Sequence, residues 1–177
     1  RLPRLFATLP AEELVVKPAL EANGERLGGA YYEEGSAARP AGLVVNTSRL
    51  DARPIWETEA LALHEGVPGH HLQVARAHQL NGLPAFRRHA WYPAFGEGWA
   101  LYAESLGPEL GFYKDAFSAF GSLNSELLRA ARLVADTGIH AMGWTRQQAV
   151  DYLNANTANA LADNEIEVDR YIAQPGA

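Results

Sequence analysis

The stretch "HEGVPGHH", residues 64–71, limits the fold of this chain more than any other, because Gly66, Pro68 and Gly69 interrupt a run of helix-forming residues. Proline has no N–H to donate and its ring collides with the preceding turn, so a regular helix cannot pass through position 68. The histidines on either side give the interruption its importance. In a straight helix each residue advances about 100° and about 1.5 Å, so side chains at i and i+4 share a face and can hold one ion together. Four residues after His64 comes Pro68, which carries no ligand, while His70 and His71 follow at six and seven. On a straight helix His64 and His70 would lie about 240° apart, and His64 and His71 about 9 to 11 Å apart along the axis. Glycine tolerates unusual dihedrals, so a bulge of two extra residues here would carry His70 to the place of an i+4 partner. In a different register His71 takes that role. The competing reading is that Pro-Gly ends one helix and the histidines merely begin the next.

Neighbouring residues favour a shared task. Glu65 follows His64 directly, where a carboxylate can take a proton from a metal-activated water. A third ligand is available in "FGEGWALYAE", residues 95–104. There Glu97 opens a helix between two glycines, and Glu104, seven residues on, lies on the same face two turns away. Taken alone, Glu97 reads as a first-turn acid that complements the helix dipole. Arg132, Asp136 and His140 form another polar set, spaced four apart within an apolar helical run. One reading is a solvated face of i,i+4 pairs, each worth about 0.2–0.5 kcal/mol. In the other the stripe faces a cleft, where His140 hydrogen-bonds a developing oxyanion, Asp136 fixes its tautomer and Arg132 clamps a substrate carboxylate.

The first 60 residues are broken up by Pro3, Pro10, Pro18, Pro40 and Pro54. "GAYYEE" (29–34) and "GLVVNT" (42–47) are aromatic or β-branched runs flanking a turn-rich segment, which predicts a β-hairpin over 29–47. From Glu57 onward helical signals dominate, at 57–65, 71–82, 97–107 with a Gly107-Pro108 stop, and about 111–142. A Thr145/Gln148 capping box opens 146–156, and Asp163 caps the last helix. His78 and His89 read as ordinary surface or loop residues. The expectation is a mainly α fold with an irregular segment 1–56 that holds the hairpin, and a helical metal-site region 57–177.

Composition narrows the function. With 47% apolar and 20% charged residues the chain is of ordinary globular type, about one domain in size. A net charge of -6 argues against nucleic acid or an anionic membrane surface as partner. There is no cysteine, so any metal is held by nitrogen and oxygen. No apolar run approaches the roughly 20 residues of a membrane helix. Basic residues are almost all arginine, with only Lys17 and Lys114 as exceptions, which together with abundant alanine points to a bacterial gene. Compartment, cytoplasmic or exported, and oligomeric state are left open.

The pieces "YY" before "RPAGLVVNTS", then "LALHEGVPGHHLQ", "FGEGWALYAE", "RAARLVADTGIHAMGWTRQQAVDYL" and "EVDRYIAQPG", in that order, resemble a bacterial family known as domain of unknown function 885. That family is a relative of the gluzincin metallopeptidases, and "GEGWA" is similar to the N-E-G-F-A element that supplies the glutamate ligand in aminopeptidases of the clan. The resemblance spans essentially the whole chain. It implies a helical zincin-like core with His64, His70 and Glu97 as ligands of one Zn2+ and Glu65 as general base. His71 and Glu104 stand as an alternative ligand or an outer support. Members of the family are several hundred residues long, so the chain resembles the catalytic part of a longer protein.

The implied activity is that of a zinc-dependent hydrolase, a metallopeptidase acting on peptide or small amide substrates. His140 would stabilise the oxyanion, with Tyr152 and Tyr171 as lesser candidates whose ordinary role would be in the core. Two other readings compete. A carboxylate-bridged di-iron bundle needs Glu-x-x-His on two helices, and no glutamate here has a histidine three residues later. A non-catalytic helical metal-binding or interaction module with a retained motif is the remaining alternative.

Overall fold

A computed structural model describes residues 1–20, 28–48 and 50–176. Strands β1 (Leu14–Pro18), β2 (Ala30–Glu33) and β3 (Ala41–Val45) form one sheet in the order β1-β3-β2. The expected hairpin is there, with β2 antiparallel to β3 and Tyr32 opposite Leu43. β3 takes the centre because Ala41 to Val44 are all buried, as suits a strand covered on both faces. The sequence reading missed β1, which runs parallel to β3 with Val16 opposite Leu43. Parallel neighbours are joined by long crossovers, so no turn signal marks the pairing. Glu33 of β2 is ion-paired with Lys17 of β1 and with Arg39. The Lys17 contact crosses β3 at Gly42, where an added Cβ would run into the lysine chain.

Helical structure follows, beginning with short 3-10 turns at Leu50–Ala52 and Ile55–Glu57. The α-helices are α1 (Thr58–Glu65), α2 (His70–His78), α3 (Ala85–His89), α4 (Pro93–Ser105), α5 (Gly107–Leu110), α6 (Ala116–Met142), α7 (Arg146–Asn156) and α8 (Leu161–Ala173). The chain is mainly α, as expected, with several boundaries to correct: α2 stops at His78 rather than at 82, α6 starts at Ala116 rather than near 111, and three others have a clear local cause. α4 begins at Pro93 rather than Glu97, since proline in a first turn loses no helical hydrogen bond. Gly107 and Pro108 open α5 instead of only stopping α4. Asp163 does not cap α8; it lies in the first turn, where its charge suits the helix dipole.

Caps explain where the long elements start and stop. The Asp115 carboxylate accepts the N–H groups of Phe117 and Ser118 at the head of α6, and Gly143, at φ 69°, ends that helix in the left-handed region. The Thr145/Gln148 capping box opens α7 as read from the sequence. Ala131 and Ala135 of α6 let α7 and α8 approach closely, and with Ala149, Val150, Leu153, Val168 and Tyr171 they form one core. Leu153 is fully buried, and its truncation to alanine would cost about 2–5 kcal/mol. A second cluster joins Leu63 of α1 to Leu106 and Leu110. It anchors α1 one residue before His64.

Candidate metal centre

The chain breaks between His64 and His70 rather than bulging. α1 ends at Glu65, Gly66 to Gly69 form a turn containing a cis Val67–Pro68 bond, and α2 starts at His70. The reason lies in the two residues singled out from the sequence. Pro68 has no N–H for a helix, and Gly69 passes so close to the carbonyl oxygens of Leu63 and His64 that any Cβ would overlap them. The turn doubles back on the end of α1. Pro-Gly thus does end one helix and start the next, yet the two histidines still meet, with ring centroids 4.7 Å apart and nearly perpendicular.

Glu97 completes the group. Its Oε2 lies 3.3 Å from His64 Nε2 and its Oε1 lies 3.7 Å from His70 Nε2. Ligand atoms of His64, His70 and Glu97 all fall within 4.8 Å of one another. Glu97 sits beyond the first turn of α4, so the helix-dipole reading of this residue fails. Glu104, two turns on and buried, accepts from His64 Nδ1 at 2.6 Å. The two carboxylates therefore flank one imidazole, and Glu104 directs Nε2 toward the cluster.

Glu65 is buried beside this group, with Oε2 4.0 Å from His70 Nε2. Its carboxylate accepts the backbone N–H of Tyr32, so β2, one of the two edge strands, takes part in the site. Burial pushes Glu65 up to about 7, against the pull of His64 and Arg129. Burial and the charge of His64 push His70 down to about 4, leaving a neutral imidazole. For Glu97 burial acts upward, but His64 and Arg129 overcome it and hold the carboxylate at about 2. His64 is raised, since its hydrogen bonds to Glu104 and Glu97 outweigh the effect of burial.

Not every candidate joins the cluster. His71 faces the other way: Nε2 donates to the Glu12 carbonyl at 3.0 Å and Nδ1 accepts from the Tyr32 hydroxyl at 3.3 Å. Arg132 borders the cleft, but its guanidinium is already engaged by the Tyr171 hydroxyl at 3.0 Å and Glu167 at 2.9 Å. Tyr171 is fully buried in the core, and Tyr152 packs beside that core against Trp144 at 5.6 Å. His140 lies on α6 about 16 Å along the axis from Arg129, with Nε2 donating to the Tyr171 carbonyl at 2.9 Å. Asp136, 3.8 Å from it, accepts from the Gly176 N–H. Neither His140 nor Asp136 borders the cleft that holds the cluster, so the expected oxyanion role of this pair has no support in their position.

Sequence reasoning missed Arg129 and Trp91. Arg129 Nη2 lies 3.0 Å from His64 Nε2, and Nη1 lies 3.4 Å from Glu97. Arg129 precedes Arg132 by three residues, so it extends the polar stripe on α6 and was within reach of the same spacing argument. Trp91 packs edge-on to His70 at 5.4 Å. The cleft they border measures about 660 Å³ and is walled by β2, α1, α2, α4, α6 and α8.

The donor set suits a divalent ion. Two imidazole nitrogens and a carboxylate oxygen are zinc-type ligands, and separations of 3.3 and 3.7 Å match the spread expected from bonds of about 2.0 to 2.2 Å. A neutral His70 and an ionised Glu97 are in the protonation states that ligands require, whereas His64, held up against burial by Glu104 and Glu97, would have to give up its proton to an ion.

Comparison with known proteins places the fold and the family. No curated protein matches the chain. Among solved structures, "the putative lipoprotein from Colwellia psychrerythraea" superposes with a TM-score of 0.94 at 38% identity. That match covers 99% of this chain and 30% of the other, so this chain spans about a third of its relative's length. Residues 1–177 match the family described as "Bacterial protein of unknown function (DUF885)", and the chain belongs to that family.

Proposed function

We propose that this chain is the catalytic part of a zinc-dependent hydrolase with a zincin-like core, a metallopeptidase that cleaves peptide or amide bonds. The observation that carries the reading is the convergence of His64 Nε2, His70 Nε2 and the Glu97 carboxylate beside the buried carboxylate of Glu65. A zinc ion held by those three residues would supply Lewis acidity, polarising a carbonyl and activating a water near neutral pH. Glu65, buried with Oε2 4.0 Å from His70 Nε2, is the carboxylate placed to accept a proton from an attacking water and return it to the leaving amine. Glu104 holds the His64 ring in one orientation. β2 favours an extended peptide as substrate, because Gly29 to Tyr32 border the cleft and β2 is an edge strand. The word lipoprotein in the relative's description favours an exported location over a cytoplasmic one.

A second reading rests on Arg129. Its guanidinium touches both His64 and Glu97 and balances the Glu97 carboxylate without an ion, as in a non-catalytic module with a retained motif. Metal content and cleavage separate the two. Wild type and Glu65→Gln should retain equal zinc after dialysis, with peptide cleavage about 10²–10⁴-fold slower in the variant. Equal cleavage rates would sink the role of Glu65, and a zinc-free wild type would favour the second reading.

A further inference from the structure

Another histidine–carboxylate cluster lies outside the cleft. Glu34 follows β2, His78 ends α2 and His89 ends α3, and ligand atoms from the three lie within 4.8 Å of one another. His78 Nε2 is 3.2 Å from Glu34 Oε1, and the rings of His78 and His89 are 4.5 Å apart between centroids. An ion pair between Glu34 and His78 needs no third member. A second imidazole brought in from another helix supplies what an ion pair lacks, a further nitrogen donor within the same 4.8 Å. Two imidazoles and one carboxylate form a set that zinc-like transition ions prefer, whereas Ca2+ and Mg2+ take oxygen ligands.

We propose that Glu34, His78 and His89 form a second, surface site for a divalent transition ion such as Zn2+, whatever the chemistry of the cleft. The Glu34 and His78 side chains are 55% and 27% exposed, so water completes the coordination and the site binds more weakly than an enclosed one. Its position connects it to the cleft wall. Two residues after His89 comes Trp91, which packs on His70, and Arg88 donates to the His78 carbonyl at 3.4 Å. An ion there joins the end of α3 to α2 and steadies the segment that carries Trp91.

Calorimetric titration of the chelator-stripped chain with zinc chloride tests the proposal. Wild type should give a tight and a weaker binding event. His89→Gln should lose the weaker event and keep the tight one, while Glu97→Gln should do the reverse. A wild type without the weaker event overturns the proposal, as does a weaker event unchanged in both His78→Gln and His89→Gln. Should His89→Gln not fold by circular dichroism, Glu34→Gln read on the same event decides instead. A wild type with only the weaker event would sink the zinc reading of the cleft and leave this site standing. Zinc should also slow amide hydrogen exchange over residues 85–91 in Glu97→Gln, and unchanged exchange there would overturn the link to the cleft wall.

Discussion

The clusters at His64, His70, Glu97 and at Glu34, His78, His89 use the same donor types at similar spacing, but on different supports. Behind the first stand Leu63 in a core cluster, Glu104 against the His64 ring and a thirteen-residue helix under Glu97. Behind the second stand the last residues of two helices, one only five residues long, and the residue after a strand. Donors come together readily at a surface. What distinguishes the first cluster is the packing and hydrogen bonding that hold its donors from behind.

Glycine substitutions break this comparison hardest. Gly69→Ala forces a Cβ against the Leu63 and His64 carbonyls, and should cost about 3 kcal/mol or more in chemical denaturation while abolishing tight zinc binding. Gly82→Ala, in the connection between the two exposed histidines, meets nothing within 4 Å and should stay within about 0.5 kcal/mol of wild type. A stable Gly69→Ala that still binds zinc would show that the turn is not what holds the histidines together. Next in size are the histidines themselves. His64→Ala leaves the buried Glu104 carboxylate without its partner and should cost about 1–3 kcal/mol in the metal-free chain. His78→Ala removes a partly exposed pair at the surface and should cost about 0–1 kcal/mol.

Smaller effects sharpen the contrast. Glu104→Gln should weaken zinc binding at the cleft about 10–100-fold and leave any surface site untouched, measured by competition with a chelating dye. Unchanged affinity would mean that packing alone orients His64. The mildest test uses Glu57 on the cleft wall, which burial, with Asp163 nearby, pushes up to about 7 against the pull of Arg53. A carboxyl raised above its unfolded value of about 4.3 contributes stability below that value and loses it as pH rises through about 7. Glu57→Gln should therefore melt higher than wild type at pH 8 and equally at pH 4. Equal melting at both would place Glu57 in ordinary solvent.

Local signals in the sequence reached far into the molecule. The hairpin, α6, the capping box of α7 and the facing of Glu97 and Glu104 all follow from periodicity, which acts within a few residues. Choosing His70 over His71 did not follow, because it depends on the path of Gly66 to Gly69 and on Tyr32 and Glu12 waiting to bond His71. β1 was illegible for a similar reason, since its partner lies 27 positions away in register. His140 misled because equal spacing on a helix says nothing about which stretch of that helix lies beside a cleft. The pairing of His78 with His89 was hidden because each, taken alone, reads as an ordinary surface or loop residue.

Trp99 Nε1 donates to the Pro68 carbonyl at 2.8 Å, and Gln73 Nε2 donates to the Phe95 carbonyl at 3.1 Å. Both bonds fasten the helix that carries Glu97 to the chain between and just after the two histidines. Errors in the three donor positions are therefore correlated rather than independent. If drift elsewhere shifts α4 bodily, the turn is drawn along with it and the triangle of donors keeps its dimensions. The cluster would then behave as one inherited part, tolerant of change around it and sensitive to the loss of a single indole nitrogen.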